Sequence, residues 1–119
     1  MKFNHLDLPV HDIGAMKSFL ERHFDLRGVQ ERQGFALLRD DAGFALVLSA
    51  LRPDEHPGFP RGFHIGFNVP LAGEVEALHA RLRGSDVAIV RAPGWLGGAL
   101  TFQCLAPGGV VVEIGHRTA

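Results

Sequence analysis

His5-Leu6-Asp7-Leu8-Pro9-Val10 and His64-Ile65-Gly66-Phe67-Asn68-Val69 share one pattern, His-apolar-x-apolar-x-Val, and each stands just before a segment of helical periodicity. Self-similarity of this kind points to one structural motif used twice. Each stretch also alternates as a strand does, successive side chains turning to opposite faces. In the first, Leu6, Leu8 and Val10 share a face and His5, Asp7 and Pro9 the other; in the second, Ile65, Phe67 and Val69 oppose His64, Gly66 and Asn68.

Working outward, the first strand reads from Phe3 to Val10. Asp12 is placed to cap a helix whose apolar positions, Ile13, Met16, Phe19, Leu20 and Phe24, recur at helical spacing. Strands follow over about Val29 to Gln33, Phe35 to Arg39 and Phe44 to Leu51, the last two joined by the turn sequence Asp40-Asp41-Ala42-Gly43. Pro53, Pro57 and Pro60 exclude a central strand from 52–60, which reads as a linker. The second half repeats the order: a strand from Gly62 to Val69, a helix from Ala72 to Arg83 ended at Gly84, then strands Val87 to Arg91, Ala99 to Leu105 and Val110 to Gly115. Residues 92–98, with three glycines and Trp95, read as a loop. The expectation is an α+β fold in one domain, 1–119, of two βαβββ modules (1–51 and 61–119) forming a cup-shaped mixed sheet with the helices outside.

The bulk properties narrow the function classes. With 119 residues, 46% of them hydrophobic, the chain can bury a real core. A formal net charge of -1 and the lack of a basic run give no pull towards nucleic acid or an anionic membrane. No stretch approaches the ~20 apolar residues of a membrane span, and no apolar leader opens the sequence, so a cytoplasmic protein is expected. Cys104 is the single cysteine and is expected to pack as a small apolar residue in its strand.

The chemistry gathers where the repeats align. Gly43-Phe44-Ala45-Leu46-Val47-Leu48 lies over Gly109-Val110-Val111-Val112-Glu113-Ile114, so Val47 answers to Glu113. Val110, Val112 and Ile114 share one face of that last strand, leaving Glu113 on the other. A carboxylate in an apolar run calls for a positive partner, hydrogen bonds or a metal ion, and an arginine partner at a half-wet strand end is the plain explanation of Glu113 taken alone. Two histidines at repeat-equivalent positions change the balance, because His5, His64 and Glu113 make up the two-histidine, one-carboxylate set that leaves open positions on a divalent metal such as Fe, Mn, Ni, Co or Zn. His11, His23 and His79 are expected to be solvated on or beside the helices. His56 and His116 are weaker candidates for acid or base, Asp7 and Asn68 share the face of the two histidines, and Arg39, Arg61 and Arg91 are candidate anchors for an anionic group.

Three stretches, Asn4-His5-Leu6-Asp7-Leu8-Pro9-Val10-His11-Asp12, Gly62-Phe63-His64-Ile65-Gly66-Phe67 and Ala106-Pro107-Gly108-Gly109-Val110-Val111-Val112-Glu113-Ile114, resemble the vicinal oxygen chelate superfamily. That superfamily includes glyoxalase I, extradiol dioxygenases, fosfomycin-resistance thiol transferases, methylmalonyl-CoA epimerases and bleomycin-resistance proteins. The resemblance spans nearly the whole chain. It implies a homodimer and a divalent transition metal held by His5, His64 and Glu113, chelating oxygens of a small-molecule substrate. The fourth ligand of glyoxalase I and the epimerases falls at Val47 and is missing here, and the chain has no tyrosine, which the three-ligand subfamilies usually place at their sites. A metal-dependent enzyme of dioxygenase, thiol transferase or lyase type is therefore expected. The alternative is a non-catalytic dimeric drug-binding protein of the bleomycin-resistance type.

Overall fold

Two compact units, Met1–Phe59 and a second from Pro60 onward, divide the computed structural model, which describes residues 1–118. In the first, β1 (His5–Val10), α1 (Ile13–Phe24), β2 (Arg27–Arg32), β3 (Phe35–Arg39) and β4 (Ala45–Ala50) follow in order. Their sheet runs β1-β4-β3-β2, with β1 parallel to β4 and the other pairs antiparallel. A parallel pair cannot be joined by a hairpin, and here α1 and the β2–β3 hairpin make the long return. The helix forms where expected: the Asp12 carboxylate accepts from Ala15 N–H at 2.9 Å, and Met16, Phe19 and Leu20 are buried. They meet Leu8, Val10, Ala36, Leu38, Leu46 and Leu48, all buried on one sheet face.

The second unit repeats the order with β5 (His64–Asn68), α2 (Ala72–Arg83), β6 (Ile89–Leu96), β7 (Ala99–Leu105) and β8 (Val111–Arg117), in a sheet β5-β8-β7-β6. The pairing is the same as in the first: β5 parallel to β8, the rest antiparallel. Val75 and Leu82 of α2 pack with Phe102, Cys104, Val112 and Ile114, each at 0% exposure. Both units are thus βαβββ modules of α+β class, each a four-stranded mixed sheet with its helix against one face. Among the described residues no helix is long and apolar enough to cross a membrane.

Several boundaries differ from those read in the sequence. The first strand begins at His5; Phe3 lies outside it, 79% exposed, against the Phe44 ring. Residues 92–96, expected in a loop, continue β6, and Trp95 pairs with Leu100. Of two register shifts in β6, the one between Arg91 and Gly94 accommodates Pro93, which has no N–H to give a regular ladder, and Gly97 and Gly98 (φ 58° and 79°) form the tight turn into β7. His116, expected beyond the last strand, lies within β8 opposite Leu100.

Two buried groups depart from ordinary behaviour. Burial pushes the Cys104 thiol up to about 11, so it stays protonated at neutral pH and is not a nucleophile there. His79, expected in solvent, packs edge-on to Phe102 with ring centroids 5.3 Å apart, and its buried Nε2 has no hydrogen-bond partner among the described residues. An unpaired buried polar atom costs about 1–3 kcal/mol. His79→Leu removes that atom and keeps an apolar contact with Phe102, so it is expected to stabilise the protein by about 1 kcal/mol, read as a higher urea midpoint.

Candidate metal centre

The face of each sheet that the helix leaves uncovered carries the functional side chains. In the second unit the register His64↔Val111, Gly66↔Glu113 and Gln103↔Glu113 puts His64, Gln103 and Glu113 on that face. Glu113 is half-buried at its centre. Its Oε2 lies 3.6 Å from His64 Nε2, while Oε1 accepts from Gln103 Nε2 at 3.2 Å and Arg91 Nη2 at 3.4 Å. The arginine partner expected of this carboxylate taken alone is therefore present at one oxygen, and His64 faces the other.

The tautomer of His64 is set from behind. Its Nδ1 lies 2.8 Å from the carbonyl of Gly62, and a carbonyl only accepts, so Nδ1 carries the hydrogen. Gly62, at φ 91°, adopts the left-handed conformation that glycine takes without strain. In the neutral ring Nε2 then presents a lone pair to Glu113 Oε2, another lone-pair atom. Two such atoms facing across 3.6 Å repel unless a proton or a metal cation lies between them. Metal–ligand bonds of about 2.0–2.2 Å separate adjacent donors by about 3.0–3.5 Å, so the gap is close to what a cation requires.

His5 stands on the first unit with the same preparation: its Nδ1 is 2.8 Å from Asn4 Oδ1, leaving Nε2 for a ligand. The repeat alignment is also reproduced in the register, since Val47 lies opposite Asp7 as Glu113 lies opposite Gly66. Asp7 accepts from Ser49 Oγ at 2.6 Å. Gln103 of the second unit answers to Leu37 of the first, so at this position and at that of Glu113 and Val47 the uncovered face is polar in one unit and apolar in the other. Among the described residues no three His, Cys, Asp or Glu side chains gather as a metal-holding group; His64 and Glu113 are brought together as a pair.

The remaining candidates separate. Arg91 joins the pair, donating to Thr101 O at 3.3 Å and Thr101 Oγ1 at 2.7 Å as well as to Glu113. Arg39 donates to the Gly43 carbonyl and so serves its own turn. Arg61 and His56 are exposed. His116 Nδ1 faces the Val69 carbonyl at 3.3 Å. The sequence reading missed Gln103 and Thr101, although their alternation with the apolar Phe102 and Cys104 puts them on the face of Glu113. Beside Glu113 lies a cavity of about 220 Å³ whose polar lining includes Asn68, Thr101 and Arg117. Gly66 and Gly115 also line it, and the absence of side chains there leaves the space open.

Comparison with known proteins agrees with this architecture. The sequence model described as the Glyoxalase/Bleomycin resistance protein/Dioxygenase superfamily matches residues 2–114. A solved structure of a possible glyoxalase from Bacillus cereus is 33% identical, with a TM-score of 0.84 over 96% of this chain and 97% of that one. A glyoxalase/bleomycin resistance protein/dioxygenase family enzyme from Burkholderia phytofirmans PsJN is 18% identical, with a TM-score of 0.82 over 99% and 100% of the two chains. A lactoylglutathione lyase from Agrobacterium tumefaciens is 21% identical, with a TM-score of 0.78 over 97% and 92%. At these identities the last two show likeness of fold alone. No curated protein matches the chain.

Proposed function

The chain belongs to the Glyoxalase/Bleomycin resistance protein/Dioxygenase superfamily, and from that we propose that it is a divalent-metal-dependent enzyme acting on a small molecule, with His64 and Glu113 as two metal ligands and His5 as the third. The observation that carries this reading is the pair of lone-pair atoms, His64 Nε2 and Glu113 Oε2, facing each other at 3.6 Å while the far side of the imidazole is held by Gly62. A bound Fe, Mn, Ni, Co or Zn ion supplies Lewis-acid chemistry to substrate oxygens, as dioxygenase, thiol transferase and lyase reactions each use. The protein's own part is orientation. Gly62 and Asn4 hold the two imidazoles in the ligating tautomer, Gln103 and Arg91 hold the carboxylate, and the cavity beside Glu113 receives the body of the substrate.

Chelator-stripped protein titrated with these ions in a calorimeter is expected to bind about one equivalent per subunit; no binding by any of them overturns the assignment. The working form is assigned as a homodimer, which sedimentation at micromolar concentration checks directly. Mixing a His5→Ala chain with a Glu113→Ala chain then identifies the source of the third ligand. In the isolated mixed dimer, recovery of about half the metal places His5 on the partner subunit, and no recovery places it on the same chain.

A second reading, non-catalytic binding of a drug-like molecule, is favoured by the apolar Leu37 and Val47 where the other unit has Gln103 and Glu113. Val47→Glu tests whether this position faces the metal. Outer-sphere partners alone are worth about 10–100-fold in metal affinity, so an added anionic ligand is expected to raise affinity by at least about tenfold. Unchanged affinity in a folded variant would show that Val47 does not face the metal.

A further inference from the structure

Arg91 reaches Glu113 only because β6 breaks register to bring it there. Ile89 pairs with Cys104 and Arg91 with Gln103, so one residue, Val90, is extra. Without the shift, a regular ladder would set Val90 opposite Gln103. A second shift follows between Arg91 and Gly94. Bulges of this kind re-aim a side chain, and here the re-aimed side chain is a guanidinium. It is anchored twice on Thr101, at the carbonyl and at Oγ1, before it meets Glu113 Oε1 at 3.4 Å. Gln103 Nε2 donates to the same oxygen at 3.2 Å. The two carboxylate oxygens are therefore unequal: Oε1 has two donors, and Oε2 faces His64.

We propose that Arg91, with Gln103, is a positioning residue that commits Oε1 of Glu113 and so restricts this carboxylate to a single oxygen towards the metal, keeping a coordination position open for ligand oxygens. The inference rests on the metal assignment above and adds what the neighbours of Glu113 do to it. A glutamate free on both oxygens can bind a cation through both, which would fill a position otherwise held by water or substrate. Arg91 opposes that in two ways: its Nη2 donates to Oε1, and its positive charge disfavours a cation drawn across towards that oxygen. The first unit repeats the register shift, at Val29, but not the side chains, since Gln30, Leu37 and Val47 stand in register where Arg91, Gln103 and Glu113 stand in the second.

The test counts metal-bound water. Mn(II) is titrated into wild type, Arg91→Met, Arg91→Lys and Gln103→Leu, and solvent proton relaxation gives the number of exchangeable waters on the bound ion while competition gives affinity. Arg91→Met is expected to lose about one bound water, because the second carboxylate oxygen takes its place, and to bind Mn(II) several-fold more tightly. Gln103→Leu, which installs the residue found at the equivalent Leu37, is expected to shift both quantities in the same direction by less. Arg91→Lys, which keeps a cationic donor, is expected to retain the wild-type water count. A residue that only supports the sheet would lower affinity when removed and would not remove a water. If wild type binds Mn(II) and Arg91→Met and Gln103→Leu both keep its water count, the positioning role is overturned and the metal assignment stands. If wild type binds neither Mn(II) nor any other ion tested, both fall.

Discussion

His64→Ala is expected to lower the affinity for Co(II), Ni(II) or Zn(II) by at least about 100-fold, since loss of an outer-sphere partner alone costs about 10–100-fold and here a donor atom itself is removed. The fold should not respond comparably, because the side chain is 39% exposed and its hydrogen bond to Gly62 O closes a local turn. Substitutions at such positions change stability by about 0.5 kcal/mol or less. His116→Ala is the matched control. That imidazole is half-buried in β8, the strand of Glu113, but alternation turns it to the opposite face, beside Ile114 and in register with Leu100, so its loss should leave metal affinity unchanged. The pH dependence has a definite sign: imidazole and carboxylate must shed protons to bind a metal, so affinity in the wild type falls as the solution is acidified. Calorimetry on stripped proteins measures all three effects. Equal affinities for wild type and His64→Ala would remove this residue from the metal set.

What the sequence made legible follows from which features are periodic. Alternation at His5–Val10 and His64–Asn68 has period two, and it was enough to separate the helix-covered face from the face that bears His64 and Glu113. The equivalence of Val47 and Glu113 was readable because both modules keep the same parallel register. What escaped was irregular. Ala92-Pro93-Gly94 has loop composition, and only the two register shifts of an edge strand let it pair with β7. The same shifts decide that Arg91 and not Val90 meets Gln103, and a bulge leaves no mark in an alternating pattern. His79 was legible in principle. It lies four residues after Val75 and three before Leu82, which is the buried stripe of α2, but histidine is polar enough to be assigned to solvent when composition outweighs spacing.

The largest stability effect is expected at Phe102, whose truncation to alanine should cost about 3–5 kcal/mol. Its ring is at 0% exposure in β7, paired in register with Ile114 and in edge contact with His79 of α2, so the helix and sheet of the second unit close over it. A chain of this size has about 5–15 kcal/mol in total, so the loss removes about a fifth of it or more. Trp95→Ala, at a ring 58% exposed on the edge strand, is the contrasting case and should change stability by about 0.5 kcal/mol or less. Urea unfolding in chelator measures both, as a fall in midpoint at unchanged slope. The same substitution also links fold to site. Phe102 lies between Thr101, which anchors Arg91, and Gln103, which holds Glu113, with its own side chain on the opposite face. A ligand that binds only the native state adds about 2.7 kcal/mol at one hundred times its dissociation constant. A saturating metal should therefore restore much of the stability lost in Phe102→Ala, provided the strand still holds these residues in place, and adding Glu113→Ala should abolish that recovery. If the metal raises the unfolding midpoint equally with and without Glu113, the stabilising ion is bound elsewhere and the carboxylate is not its ligand.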